Sequence, residues 1–512
     1  MLHSTRPRPD EQTSSNCSGS RCGAATLLSC RAPCDRSLTA LTQDHYATTV
    51  DIVEHRGVEH GDEVIANLPP APKNPLPFLQ RLRAVRSHHT GTDILRDAGG
   101  PVTLISLGPR WLIPPIVLAT SPEGIRDICS ARDGSIDKGS AVNTELRRLI
   151  GANSFVSPHV EWLPRRRVLQ PLFTHKRVAQ IGGHMAEAVE AICATWSTAA
   201  PVDLADQSAM LSLRTLGSTV FGTDFGAQAD AIAEPLEITS QYVLSRSLSP
   251  LRAPSWLPTP GRRKARAAAA GLGRLANDIL LSCKADPSKE APLVQMLIKA
   301  TDPETGQGLS DDAIIAELVS MLFAGYTTTA TTLTYALWAL GHHHDIQERV
   351  AAEAAAIGDR PLTPGDLSDL AYTTQVLQET LRICPPAATG TRIATQDVAI
   401  AGYRVDAGTT LAIGRRSVQR DPNLWESPHS FDPDRFSPQQ SAARNRWQFL
   451  PFGAGPRSCL GQHFAMQQAT LALADIIRRF EIDSAENDFP TTVAFTVTPD
   501  GPVLARVKPR RS

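Results

Sequence analysis

The chain has almost no net charge: across 512 residues, 51 Lys and Arg stand against 52 Asp and Glu. That balance leaves no charge excess to point to nucleic acid or an anionic surface. Cysteine is scarce too, and 9 in so long a chain exclude a disulfide framework. From Cys129 onward they are isolated, at Cys129, Cys193, Cys283, Cys384 and Cys459. Such spacing suits a reducing cytoplasm, with at most one cysteine active in chemistry. There is no internal repeat, and the apolar run at residues 24–28 is too short for a secretory signal. No segment resembles a membrane anchor, so the expectation is a cytoplasmic protein.

Residues 1–66 are rich in Ser, Thr, Arg and Pro and have little periodicity, which predicts a disordered N-terminal extension. Its cysteines, Cys17, Cys22, Cys30 and Cys34, fit no familiar zinc spacing. The folded body is expected over 67–512 and opens on the stiff segment Leu68-Pro69-Pro70-Ala71-Pro72. Apolar spacing predicts helices over 185–196, 268–281, 311–340, 346–356, 367–382 and 461–480. Short strands are predicted at 102–107, 116–119, 398–405, 409–413 and 493–507, and four prolines between 248 and 261 predict an irregular connection. The fold class is therefore mainly α with small β-sheets.

Charge is absent altogether from Leu318 to Gly341. Length alone would allow a membrane span there. The segment is single, lacks a positive flank and is diluted by the threonines of FAGYTTTATT, residues 323–332, so it reads as a buried helix weakened locally. The tract His342-His343-His344 follows Gly341 at the helix end and reads as a solvated junction, since adjacent residues do not share a helix face.

The most informative stretch runs from Phe449 to Gly461, FLPFGAGPRSCLG. Glycines and prolines build a tight loop, and Cys459 follows at the start of an apolar helix. Free N–H groups at a helix N-terminus favour thiolate over thiol, so a lowered pKa is expected. Such a thiolate serves as nucleophile or metal ligand. Arg457 offers a charged fork to a ligand carboxylate, and Gly455 and Gly461 would let a flat ligand approach the backbone closely.

The pattern Phe452-x-x-Gly455-x-Arg457-x-Cys459-x-Gly461 resembles the haem-binding loop of the cytochrome P450 family of haem-thiolate monooxygenases. Further motifs share the resemblance, from about residue 67 to the C-terminus. Glu379-Thr380-Leu381-Arg382 has the family's E-x-x-R form. Phe431 to Phe436 resembles the segment whose arginine, here Arg435, joins that pair in a structural ion network. Trp162 and Arg166 match W-x-x-x-R. Ala324-Gly325-Tyr326-Thr327-Thr328-Thr329 is similar to the distal motif A-G-x-[D/E]-T-T, with Thr327 where an acid is usual.

The resemblance implies the cytochrome P450 fold and haem b with Cys459 as axial iron ligand. Phe452 would pack beside the haem, and Ala324 and Gly325 would leave room for oxygen. Trp162, Arg166, Arg392 and Arg457 would reach the propionates. Thr328 would hold water and oxygen; with no acid at 327, protons would pass through Thr327, Thr328 and water, or another acid such as Glu317 would contribute, or oxygen activation would be slower and leakier or unlike ordinary hydroxylation. Arg165 and Arg167 would face solvent or a redox partner. The pocket would draw on 131–158, 243–260, 319–328 and 387–391. The implied activity is insertion of one oxygen atom from O2 into an apolar organic substrate, with secondary metabolism as its setting. Ferredoxin and ferredoxin reductase would donate electrons to a monomer with no membrane span and no nucleic-acid partner. Competing readings are a peroxide-driven, coupling or rearranging oxidase on the same fold, and a non-catalytic haem sensor.

Overall fold

A computed structural model of the chain describes residues 65–87, 90–196, 199–249, 253–254, 256–493 and 495–510. Residues 1–64, including Cys17, Cys22, Cys30 and Cys34, lie outside the described residues. Helices dominate, and the sheets are small. The helices that build the site are α1 (His159–Leu169), α2 (Leu204–Leu216), α3 (Asp311–Leu340), α4 (Ala371–Ile383) and α5 (Gln462–Arg479).

The central helix α3 has the span predicted for it. Ser310 caps it by accepting from the Ala313 N–H at 3.3 Å, and Asp311 and Asp312 sit in its first turn, where the helix dipole favours negative charge. Thirty residues make it roughly 45 Å long. It is the one helix among the described residues long and apolar enough to cross a membrane. Here it is a core element: Leu318, Leu322, Leu333, Leu337 and Leu340 are buried, and α2, α4 and α5 pack around it. Its apolarity is that of a helix covered on all sides.

Strands β1 (Val102–Ile105), β2 (Ile116–Ala119), β3 (Ile136–Asp137), β4 (Thr389–Ala394) and β5 (Thr410–Gly414) form one sheet in the order β1-β2-β5-β4-β3. β2 pairs parallel with β5, and the other neighbours pair antiparallel. The register sets Arg392 opposite Leu411 and Asp137 opposite Ile393. Asp137, Arg392 and Arg415, the residue after β5, are thereby gathered at one side of the fold. A hairpin of β6 (Thr491–Val493) and β7 (Val497–Pro499) lies against α3.

Three predicted spans are divided. The helix expected over 367–382 is a 3-10 turn, Pro364–Asp369, followed by α4; Leu370 between them leaves helical geometry at φ −110°, ψ 40°. The strand expected over 398–405 is a tight hairpin, Val398–Ile400 with Tyr403–Val405, turned by Ala401 and Gly402 at positive φ. The strand expected over 493–507 is interrupted between Pro499 and Leu504. The helix Ala229–Leu248 was not predicted; its interior Pro235 hides it from pattern reading.

Candidate functional site

The cysteine loop is shaped by its glycines. Gly453 and Gly455 have φ of +71° and +70°, a conformation that side chains disfavour. A Cβ on Gly455 would also collide with the Cys129 carbonyl. The Cys459 N–H donates to the Phe452 carbonyl at 2.8 Å, and the Ser458 N–H donates to the Gly455 carbonyl at 3.0 Å. The loop thus curls so that the Cys459 sulfur borders an internal cavity of about 320 Å3. Gly461 caps α5, and a Cβ there would meet nothing, which leaves the cavity side open.

The loop is tied to a buried ion pair. Arg382 donates to both carboxylate oxygens of Glu379, Nε at 2.6 Å and Nη2 at 2.7 Å, and both side chains are 0 % exposed. Asp432 N–H adds a bond to Glu379 at 2.9 Å, and Arg435 stands 3.5 Å away as a third, looser member. Arg382 also donates to the carbonyls of Gln419, Pro428 and Ser430. Gln419 carries the link onward. Its amide donates to the Leu381 carbonyl at 2.9 Å, and its oxygen accepts from the Leu450 N–H at 2.9 Å, inside the cysteine loop. Sequence reasoning missed Gln419, because only the fold brings it between α4 and that loop.

Cations crowd one side of the cavity. Lys138, Arg166, Arg392, Arg415 and Arg457 all line it. Arg457 stacks on Trp162 at 4.1 Å and pairs with Asp137 at 2.7 Å. Arg166 donates to the Ser458 carbonyl at 3.1 Å, next to Cys459. Arg415 and Arg392 donate to carbonyls of Ala387 and Thr391. Burial, and then Arg392, Arg457 and Arg415, push the Lys138 ammonium well below its ordinary value. Burial likewise lowers Arg415 and Arg457 to about 10 each. Among the described residues two ion-paired carboxylates stand against these five cations, Asp137 with Arg457 and Glu317, which also lines the cavity, with Arg165. Buried cations in such excess call for an anionic ligand. A flat group with two carboxylates and a thiolate-seeking metal fits this arrangement, and haem b is such a group. Lys138 and Arg415 were not singled out in the sequence; no motif marks them, and the sheet register is what delivers them.

Cys459 departs from expectation. Burial pushes its thiol above the ordinary value and outweighs the lowering by the Gly461 N–H, Arg166 and Arg415. Its exposed surface faces the cavity rather than bulk water, which reconciles exposure with strong desolvation. Binding of a metal cation is what deprotonates a thiol in such a place.

On the facing wall, α3 presents Phe323, Ala324, Gly325 and Thr328 to the cavity. Thr328 Oγ1 donates to the Ala324 carbonyl at 2.7 Å, and Thr332 repeats the pattern to Thr328 at 2.9 Å. Such back-bonding loosens the helix locally. Thr327 points elsewhere: its hydroxyl meets that of Thr496 at 3.2 Å. Glu317 is 0 % exposed and held by Ser154, through N–H and Oγ at 2.7 Å each, and by Arg165 at 3.4 Å. Burial pushes its carboxyl up, against lowering by Ser154 and Arg165.

Two expectations need correcting. Arg165 and Arg167 do not face solvent: Arg165 pairs with Glu317, and Arg167 forks onto Asp302 at 2.7 and 2.8 Å. The stretch 243–260 contributes no described residue to the cavity wall, whereas Leu216, Val220 and Leu293 do. The histidine tract lies at the helix junction, as expected: His342 and His343 are half-buried, meeting Trp338 edge-on and stacking on Phe431, and His344 is exposed.

Comparison with known proteins agrees with this geometry. The family model for cytochrome P450 matches residues 69–505. The chain is 30 % identical over 387 residues to cyclooctat-9-en-7-ol 5-monooxygenase of Streptomyces melanosporofaciens, covering 75 % of this chain and 83 % of that one. It is 32 % identical over 389 residues to cyclooctatin synthase of the same organism, with the same coverage. Pentalenene oxygenase of Streptomyces avermitilis is 28 % identical over 390 residues, 75 % of this chain and 85 % of that one. The crystal structure of the cytochrome P450DA haem domain shares the fold, with a TM-score of 0.77 at 23 % identity over 87 % of this chain and 98 % of that one. The chain belongs to the cytochrome P450 family of haem-thiolate monooxygenases.

Proposed function

We propose that this monooxygenase hydroxylates a terpenoid, and that a separate ferredoxin and its reductase feed it electrons in the cytoplasm, where it acts as a monomer. The observation that carries the substrate class is the cavity wall. Above the cysteine loop it is made of Phe155, Phe323, Phe495, Leu216 and Leu293, with Thr328 as the hydroxyl at the weakened turn of α3. An apolar polycyclic or macrocyclic skeleton matches such a wall. The activities named for the relatives, on cyclooctat-9-en-7-ol and on pentalenene, support the same class.

Cys459 would hold haem b, which when bound would supply the chemistry of dioxygen activation, with two electrons from the ferredoxin and two protons needed for one oxygen atom to reach the substrate and the other to leave as water. The chain's own residues do the rest. Lys138, Arg166, Arg392, Arg415 and Arg457 would neutralise the propionates. The aromatic wall excludes water and presses the substrate toward the loosened turn of α3. There Thr328 offers a hydroxyl oxygen whose proton is held by the Ala324 carbonyl. The test is reconstitution with ferredoxin, ferredoxin reductase and NAD(P)H on a panel of terpene hydrocarbons, terpene alcohols and fatty acids under isotopically labelled O2. One labelled oxygen in a terpenoid product supports the proposal. Turnover confined to fatty acids, or equal turnover with hydrogen peroxide alone, refutes it.

A further inference from the structure

We propose that Thr327 and Thr331 are positioning residues that fasten the β6–β7 hairpin to the central helix, and so set Phe495 as the wall that limits substrate size. The inference rests on the monooxygenase reading for its biological meaning, but its evidence is geometric. Phe323, Thr327 and Thr331 lie four residues apart and so form one stripe on α3. Three successive hairpin residues meet that stripe in order. Phe495 packs edge-on against Phe323 at 5.1 Å. The Thr496 hydroxyl meets that of Thr327 at 3.2 Å. The Val497 carbonyl accepts from the Thr331 hydroxyl at 3.1 Å. On its other side the hairpin is held by the Val497 N–H, which donates to the Pro386 carbonyl at 2.9 Å.

The threonines of this stretch therefore divide by hydrogen-bond partner. Thr328, Thr332 and Thr334 spend their hydroxyls on carbonyls of their own helix. Thr327 and Thr331 spend theirs on the hairpin. Thr496 and Phe495 border the cavity; Thr327 lies behind them. Phe495 also meets Phe155 at 5.9 Å, and Phe155 is fixed by the bonds of its neighbour Ser154 to Glu317. One helix thus holds both sides of a three-phenylalanine wall, through Glu317 on one and through Thr327 and Thr331 on the other. An acid at 327 would place a carboxylate beside the Thr496 hydroxyl, whereas a threonine bonds there without charge.

The experiment compares Thr327→Val and Thr331→Val, which remove each hydroxyl at nearly constant shape, in the haem-loaded protein. Soret titrations with imidazole and with the bulkier 4-phenylimidazole probe the wall without turnover, so the result stands whatever the natural substrate proves to be. In both variants 4-phenylimidazole is expected to bind about 2- to 10-fold more tightly, the size of one net hydrogen bond, while imidazole is unchanged. Thr327→Ser, which keeps the hydroxyl, is expected to restore the wild-type ratio. The double variant Thr327→Val/Thr496→Val should match Thr327→Val alone. An unchanged ratio in both valine variants overturns the proposal, and so does an equal shift for both probes. So does a response in only one of the two valine variants, since the hairpin is held by both hydroxyls.

Discussion

Removing Arg382 should uncouple the cysteine loop from the rest of the fold. In Arg382→Leu, the Glu379 carboxylate loses the bonds at 2.6 and 2.7 Å, in a site that is 0 % exposed. Its remaining partners are the Asp432 N–H at 2.9 Å and Arg435 at 3.5 Å, too little to compensate a buried charge. Breaking one side of a buried ion pair costs about 3–5 kcal/mol. A domain's whole stability is about 5–15 kcal/mol, so the variant should retain a fold but lie near the edge of it. The carbonyls of Gln419, Pro428 and Ser430 lose a donor as well, and through Gln419 the disturbance reaches Leu450. Haem content per chain should fall with stability. The decisive comparison is the cycle of Arg382→Leu, Glu379→Leu and the double variant in urea unfolding, with haem quantified by its pyridine complex. The double variant should be less destabilised than either single one, because no orphaned charge remains. Additive losses, or a single-variant cost under about 1 kcal/mol, would refute the reasoning.

Other outcomes follow from the same geometry. Thr328→Ala should lower product formed per NAD(P)H consumed several-fold while leaving haem content intact; unchanged coupling would remove Thr328 from oxygen activation. Gly455→Ala should fail to retain haem. The alanine would meet the Cys129 carbonyl and pay about 1–2 kcal/mol for a left-handed backbone, and normal loading would contradict this. The Arg167 fork holds the Asp302 carboxyl down at about 2, below its ordinary 3.8. Because the folded value is the lower one, this pair contributes in full above about pH 4, and its contribution is lost as pH falls toward about 2. Urea midpoints of Asp302→Asn and wild type should therefore differ at neutral pH and converge in acid; a constant gap would show that the pair carries no linkage.

Much of the fold was legible because its signals are local. The apolar spacing over 311–340 and the uncharged run ending at Gly341 bound the central helix in sequence as in structure. The glycine pattern before Cys459 announces a loop that side chains could not form. What stayed hidden depends on distant pairing. Lys138 and Arg415 join the cationic cluster only through the register of β3, β4 and β5. The direction of the Cys459 shift reversed because a helix terminus is a local cue, whereas the burial that outweighs it is tertiary. Arg165 and Arg167 resembled surface charges until the fold supplied Glu317 and Asp302. The run FAGYTTTATT shows both sides of this. Its weakness as a helix could be read directly, but which threonines bond the helix and which bond the hairpin could not.

The central claim is that Cys459 presents a thiolate to haem inside this cavity. The most direct measurement is the carbon monoxide difference spectrum of the reduced, haem-loaded protein beside that of Cys459→His, which keeps a ligand of another kind. The account predicts the red-shifted Soret band of thiolate-ligated haem in the native chain, and its replacement in the variant by the shorter-wavelength band of imidazole ligation, at similar haem content. An unshifted native band, or a red-shifted band that survives in Cys459→His, would contradict it.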